Sequence, residues 1–355
     1  MIFKKGGYEN MGVTETKEGS VKSEAVEGKA HTASGVRKNT LWKILEMREL
    51  SIAIILAIMV VFLMISTSTF ATSANIRVLI QGMSVDMMIA IPMAISLIAG
   101  NIDFSVGSTL CLSSYIGCMA MGAGAPAWLG ILVGLLAGAV LGVINAVIIN
   151  QFKITPLIAT LGTWMAYQGI ALVLAGGNTV SNLPAAFKSF GRMEAGGVPF
   201  TIIYMVIIIV AGIFVLKYVN FFHEAYFIGS NKNSALLAGI HTKKFIYISY
   251  ALTGAVAAFA GMTLAARLGS VSQNSGTGLE FRNVVALLIG GVSMDGGEGS
   301  LIGVVLGVTI MQVVSNALVL LDINASYTKV IQGAILIIAV AIDQLNKQRK
   351  LKAAA

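Results

Sequence analysis

From Ser51 to about residue 343 the chain is a succession of apolar stretches separated by short polar turns, most of them about 20 residues long, enough to cross roughly 30 Å of hydrocarbon. Hydrocarbon cannot hydrogen-bond a peptide group, so such a chain must cross the bilayer as helices that satisfy their own backbone. Composition agrees: 11% of the residues are charged and 56% hydrophobic, where soluble domains carry about 25% charged residues. The candidate spans are 51–70, 78–98, 107–122, 127–149, 155–175, 200–219, 245–265, 284–294, 299–320 and 327–343, the third and eighth being short. The expected fold class is an all-α polytopic membrane protein of about ten transmembrane helices. Residues 1–45 are rich in Lys, Glu, Gly, Ser and Thr without apolar periodicity and read as a disordered tail. Residues 46–346 form the transmembrane domain and 347–355 a second tail. No basic–apolar–small cleavage pattern opens the chain, so the first span is expected to act as an uncleaved anchor.

With ten spans, both termini and the loops at 150–154 and 217–244 share one side, and these regions hold 18 of the 24 Lys and Arg residues. The positive-inside bias then places both termini in the cytoplasm. The net charge of +8 follows from this asymmetry and implies no nucleic-acid partner. Cys111 and Cys118 lie in an apolar segment and read as small buried hydrophobes. His31, His223 and His241 are scattered, so neither a metal site nor a catalytic constellation is expected. No G-x-x-x-x-G-K-[ST] loop is found; Gly28-Lys29-Ala30 lacks its spacing and its hydroxyl. The chain is therefore expected to bind no ATP or other cofactor itself.

Two polar, glycine-rich breaks interrupt the apolar pattern. The first is Gly100-Asn101-Ile102-Asp103-Phe104-Ser105-Val106-Gly107-Ser108; the second, Gly290-Gly291-Val292-Ser293-Met294-Asp295-Gly296-Gly297-Glu298-Gly299, echoes it. Backbone that leaves the helix at membrane depth must be covered by protein or face water, and broken helices of this kind mark transport paths; the other reading is an ordinary inter-span loop. Gly130, Gly134, Gly138 and Gly142 fall on one helix face, and Gly299, Gly303 and Gly307 repeat the pattern, which reads as close helix packing. Asp86 has no evident local partner, whereas Arg267, Glu280 and Arg282 are close enough in sequence to form an outside ion pair. The segment from Gly176 to Pro199 is polar and carries Lys188 and Arg192, which suits either a contact with an external partner or a solvated loop. Between the sixth and seventh spans, residues 232–238 have helix-compatible composition, with Asn231 to cap their start and Gly239 to close them. A short helix there suits docking of a soluble partner, or a connector resting on the bilayer.

Together these stretches resemble the permease subunits of ribose-type ABC importers. The resemblance rests on the Gly100–Ser108 break, Gly229-Ser230-Asn231 followed by Gly239-Ile240, Gly276-Thr277-Gly278-Leu279-Glu280, and Gly290-Gly291 leading to Gly296-Gly297-Glu298-Gly299, in order from about residue 75 to 345. It implies a type II ABC importer-like fold in the cytoplasmic membrane, paired with a second copy or a sister permease. It also implies an ATPase subunit that binds ATP and Mg, and an extracytoplasmic solute-binding protein. The helix at about 230–241 would be the coupling helix, with Gly229, Asn231, Lys232, Ala235, Gly239 and Ile240 at the matching positions. Lys232 stands where the family commonly has Glu, and Asp295 and Glu298 where small or basic residues are common. Asn-Ile-Asp at 101–103, Gly176-Gly177 followed by Leu183-Pro184, and Asn274-Ser275-Gly276-Thr277-Gly278 look like the autoinducer-2 and rhamnose branch. That implies a five- or six-carbon sugar or sugar-like solute. Asn101, Asp103 and Ser105, then Asn274, Thr277 and Glu280, are the candidates for lining its path, since a charge at membrane depth normally faces protein or water. For Asp103 the rival role is structural, accepting N–H bonds at the start of a helix. The other functional class is an ion-coupled secondary transporter of a small polar solute, with Asp86, Asp103 and Glu280 as coupling groups.

Overall fold

The computed structural model describes residues 48–324 and, beyond them, 327, 330–338, 340, 341, 344 and 348. The expected tail at 1–45 lies outside the described residues, as does nearly all of 347–355. The helices are α1 (Arg48–Ser66), α2 (Ser73–Ile98), α3 (Val106–Gly122), α4 (Ala127–Gln151), α5 (Pro156–Ala175), α6 (Ala185–Arg192), α7 (Phe200–Tyr218), α8 (Asn220–Ser230), α9 (Lys232–Leu237), α10 (Thr242–Leu268), α11 (Leu279–Ile289) and α12 (Leu301–Leu320). A two-residue hairpin, β1 (Glu194–Ala195) with β2 (Val198–Pro199), precedes α7. Among the described residues, seven helices (α1, α2, α4, α5, α7, α10 and α12) are long and apolar enough to cross a membrane; α3 is apolar but shorter.

The first nine candidate spans each meet a helix, with shifted ends. The first stops at Ser66 instead of residue 70, and the eighth covers 279–289 instead of 284–294. Its end is set by Gly291 (φ +89), where the Val292 amide turns back to the Leu287 carbonyl at 3.0 Å. The tenth, 327–343, is described in part, with residues 330–338 helical.

α2 and α10 form the centre: 67% and 61% of their apolar windows are buried, against 11% for α1 and 22% for α7. The outer helices turn Ile58, Phe62, Val210 and Phe214 outward, as expected for helices whose apolar surroundings are supplied by lipid. Glycine lets two helix pairs approach backbone to backbone. A Cβ on Gly138 would strike the Gly254 carbonyl of α10, and one on Gly142 the Tyr250 carbonyl. On α12, Gly303 and Gly307 sit in the same way against the Gly290 and Ala286 carbonyls of α11 and the turn after it. Gly134 lies against the Met262 sulfur, Gly130 against Met121, and Gly299 against Ile98.

Polar contacts define two ends of the bundle. At one end Arg77 of α2 pairs with Glu194, the Arg192 guanidinium donates to the Arg267 carbonyl at 2.9 Å, and Asn75 and Asn316 exchange side-chain bonds of 3.1 and 2.9 Å. α6 lies at that end, with Gly191 against Ala266 and Arg267. At the other end are α8, α9, the last turn of α2 and the residues that lead into α12.

Candidate functional site

The chain leaves the helix after Ile98 and re-enters it at Val106, and everything between except Gly100 is buried. This irregular backbone is held by polar side chains from three separate helices. The Thr160 hydroxyl of α5 accepts the Phe104 amide at 3.1 Å, and the Tyr250 hydroxyl of α10 donates to the Ile102 carbonyl at 2.8 Å. The Asn145 amide of α4 donates to the Ser105 hydroxyl at 2.7 Å. Tyr167 completes the set, donating to the Leu141 carbonyl at 2.9 Å with Asn145 Oδ1 at 3.3 Å. Asp103 Oδ1 accepts both the amide and the hydroxyl of Ser105, at 2.8 and 2.7 Å, and so fixes the entry into α3. Asn101 turns its amide back onto the Ala99 carbonyl at 3.2 Å. Membrane-depth backbone tolerates such a break because protein groups replace the missing helical bonds.

The second inward fold comes from the opposite end. Residues 269–278 descend along α3, where Cys111 Sγ lies 3.3 Å from the Gln273 carbonyl, and reach Gly107, whose added Cβ would meet the Gly276 carbonyl at 2.8 Å. The first turns of α3 and α11 therefore face each other. Glu280 sits between them, buried, with Oε1 accepting the Gly278 amide at 3.1 Å and Oε2 directly against Gly107. Two helix N-termini make that position favourable for a carboxylate. Asn274 and Thr277 are exposed on the same stretch.

The expected pairing of Arg267, Glu280 and Arg282 does not form. Arg267 donates to the Gln81 carbonyl at 2.8 Å, and Arg282 reaches Asp86 of α2 at 2.7 Å. Residues two apart on a helix do not face each other, so α11 sends Glu280 to α3 and Arg282 to α2. Asp86 thereby has a partner 196 residues away in sequence.

At the other end of the first break, Asn231 Oδ1 accepts the amides of Asn233 and Ser234, both at 3.0 Å, and caps α9. Gly239 (φ +83) closes it, with the Ile240 amide on the Ala235 carbonyl at 3.0 Å. Ala235 faces inward, while Lys232 and Leu236 are exposed and Leu237 is 91% exposed. Just before α9, Gly229 lies against the Ile98 carbonyl and the Gly296–Gly297 peptide. The Gly297 amide bonds the same Ile98 carbonyl at 2.7 Å, and the Tyr226 hydroxyl bonds the Gly299 carbonyl at 2.9 Å. The α8–α9 corner, the end of α2 and the second break thus meet at one glycine contact.

The sequence reading passed over Asn145, Thr160, Trp164, Tyr167, Gln168 and Tyr250. Four of them carry a recognisable signal: Thr160, Trp164, Tyr167 and Gln168 recur at helical spacing within an otherwise apolar span. Among the described residues, no group of three His, Cys, Asp or Glu side chains is placed to hold a metal ion.

An all-α, multi-pass membrane protein whose first break and 269–278 segment fold inward against each other has the build of a transport protein. Residues 74–340 match the family described as branched-chain amino acid transport system / permease component, and the chain belongs to that family. It is 33% identical over 293 residues to the D-allose transport system permease protein AlsC of Escherichia coli K12, covering 82% of this chain and 90% of that one. It is 34% identical over 291 residues to the ribose import permease protein RbsC of Bacillus subtilis, covering 81% and 90%. It is 31% identical over 323 residues to the galactose/methyl galactoside import permease protein MglC of E. coli K12, covering 86% and 96%.

Proposed function

We propose that this permease forms half of the translocation path of an ATP-driven importer for a five- or six-carbon sugar or sugar-like solute. ATP hydrolysis belongs to a separate ATPase subunit that binds ATP and Mg, and a solute-binding protein delivers the sugar on the opposite face. Two copies, or this chain with a sister permease, enclose the path in the cytoplasmic membrane, with both termini and α9 in the cytoplasm. Similarity to permeases named for ribose, D-allose and galactose supports the solute class. The concentration of Lys and Arg on the α9 side supports the orientation.

The observation that carries this reading is the Gly229 contact. α9 is a capped helix with Leu236 and Leu237 turned outward, suited to a groove on a soluble partner. Its preceding corner touches the ends of both breaks through Gly229, Ile98 and Gly297. A push on α9 therefore bears on the Ile98 and Gly297 backbone without an intervening flexible side chain. Asn101, Asp103 and Ser105 sit on the first break, and Asn274, Thr277 and Glu280 on the second inward fold; their proposed share is to shape the path, with Thr277 and Asn274 exposed to it. The test is co-purification of tagged permease with its ATPase from detergent. Wild type should hold the ATPase, and Gly239→Glu, which forces a side chain into φ +83 and adds charge at the docking surface, should release it while the permease stays folded. Retention of the ATPase by that variant would remove α9 as the coupling element.

A further inference from the structure

On this reading of function, we propose that residues 269–278 are a hinged cover on the face opposite α9, and that the external segment 180–192 is the latch that holds it shut over α3. The cover begins and ends at left-handed glycines, Gly269 (φ +78) at one end and Gly276 (φ +82) and Gly278 (φ +85) at the other, a conformation that glycine adopts without steric cost. Between them the chain is braced within itself. The Ser272 carbonyl accepts the Ser275 amide at 3.0 Å, the Ser275 hydroxyl accepts the Ser272 amide at 3.2 Å, and the Asn274 carbonyl accepts the Thr277 amide at 3.2 Å. A braced unit between two permissive ends moves as a body.

Its hold on the bundle is sparse. Val271 is buried, but every residue from Ser272 to Gly278 is at least partly exposed. The first break is the contrast, with Ile102 to Ser105 buried and bonded by the side chains of Thr160, Tyr250 and Asn145. The cover is held from two directions. Gln168 of α5 donates to the Gln273 carbonyl at 2.8 Å. From the external segment, Val180 exchanges amide–carbonyl bonds of 3.0 Å with Val271. Arg192 of α6 donates to the Arg267 carbonyl at 2.9 Å and lies over the outer hinge, where a Cβ on Gly269 would strike its guanidinium. A segment with little buried apolar surface opens at lower cost than the packed helices around it. Under it lie Gly107, Leu110 and Cys111 of α3, all buried, with Cys111 Sγ 3.3 Å from the Gln273 carbonyl. The deep hinge stays pinned, because Glu280 Oε1 accepts the Gly278 amide at 3.1 Å. A force applied to α6 from outside therefore acts on the outer hinge, and lifting the cover bares Cys111.

The test uses the complete importer, permease with ATPase and binding protein, in proteoliposomes. Radiolabelled D-ribose, D-allose and D-galactose report uptake, and a membrane-impermeant methanethiosulfonate added outside reports exposure of Cys111, read by mass spectrometry of its peptide. Cys111 should be protected at rest and react about tenfold faster when ATP and loaded binding protein drive turnover. Cys118, two turns further along α3 and clustered with Leu183 and Phe187, should stay protected in both conditions. Arg192→Ala, which frees the outer hinge, and Gln168→Leu, which removes a tether, should each raise resting modification of Cys111 about fivefold, as expected for loss of one hydrogen bond. Resting protection unchanged in both variants would overturn the latch. Equal wild-type rates at rest and in turnover, with normal uptake, would overturn the cover and leave the proposed function standing. Joint exposure of Cys111 and Cys118 would overturn it as well, by showing that the external end loosens as a whole. A wild-type importer without ATP-dependent uptake of any of the three sugars would remove the proposed function, and the cover that rests on it.

Discussion

Asp86 and Arg282 show how a charge is carried inside this protein. The carboxylate is 2% exposed and its partner comes from a different helix, so removing one member leaves the other buried and uncompensated. Arg282→Met should therefore cost roughly 3 kcal/mol of stability, read as a lower unfolding temperature in detergent, and Asp86→Leu with Arg282→Met should recover most of the loss. Equal stability of the single and double variants would show that the pair is not coupled. Gly107 gives a sharper case, because a methyl group there runs into both the Glu280 carboxyl and the Gly276 carbonyl. Gly107→Ala should depress folded yield, and Gly107→Ala with Glu280→Ala should relieve part of it; yields that are unaffected would displace Glu280 from that contact. Asp86, Asp103 and Glu280 all hold protein partners, namely Arg282, Ser105 and the Gly278 amide. The bonds from Ser105 to Asp103 span only two residues, so that contact was within reach of the sequence. Asp86 was not, because its partner is fixed by the packing of α11 on α2.

The close-packed helix pairs put the strongest constraints on substitution. Gly138→Leu or Gly142→Leu would drive a side chain into the backbone of α10, worse than the roughly 1–3 kcal/mol of ordinary overpacking, and should abolish folded protein. Gly162→Ala and Gly169→Ala on α5, with nothing within 4 Å of the added carbon, should leave folding unchanged as judged by yield and monodispersity. If both pairs behave alike, helix approach is not what the glycines serve. α9 is a smaller element held by one cap, so Asn231→Ala should weaken it by about 1 kcal/mol, seen as faster hydrogen exchange confined to residues 232–238. The element map was largely legible because lipid-facing helices announce themselves by length and apolarity, and α9 by its Asn and Gly ends. α11 was misplaced by five residues because its first turn, with Glu280 and Arg282, is polar for reasons that lie in α3 and α2. The polar stripe on α5 was legible in spacing alone, and what it holds was not.

At the scale of the molecule, the first break makes a separate contact at each of its ends. Near α9 the two breaks join through Gly229, Ile98 and Gly297, and deeper in the bundle the first break meets the 269–278 segment and the start of α11 at Gly107, Gly276 and Glu280. Movement imposed at α9 has a backbone route to the first break and, through it, to the start of α3 and α11. The echo between the breaks was visible in the sequence, but their meeting was not, since it depends on how α2, α3, α11 and α12 stack. A transport mechanism built this way is tested most directly by uptake into proteoliposomes that contain the permease, its ATPase and its binding protein. ATP-driven import predicts that labelled sugar accumulates when ATP is inside and loaded binding protein outside, is abolished by a hydrolysis-deficient ATPase, and is indifferent to an uncoupler. Accumulation that persists without ATP and collapses with the uncoupler would contradict it.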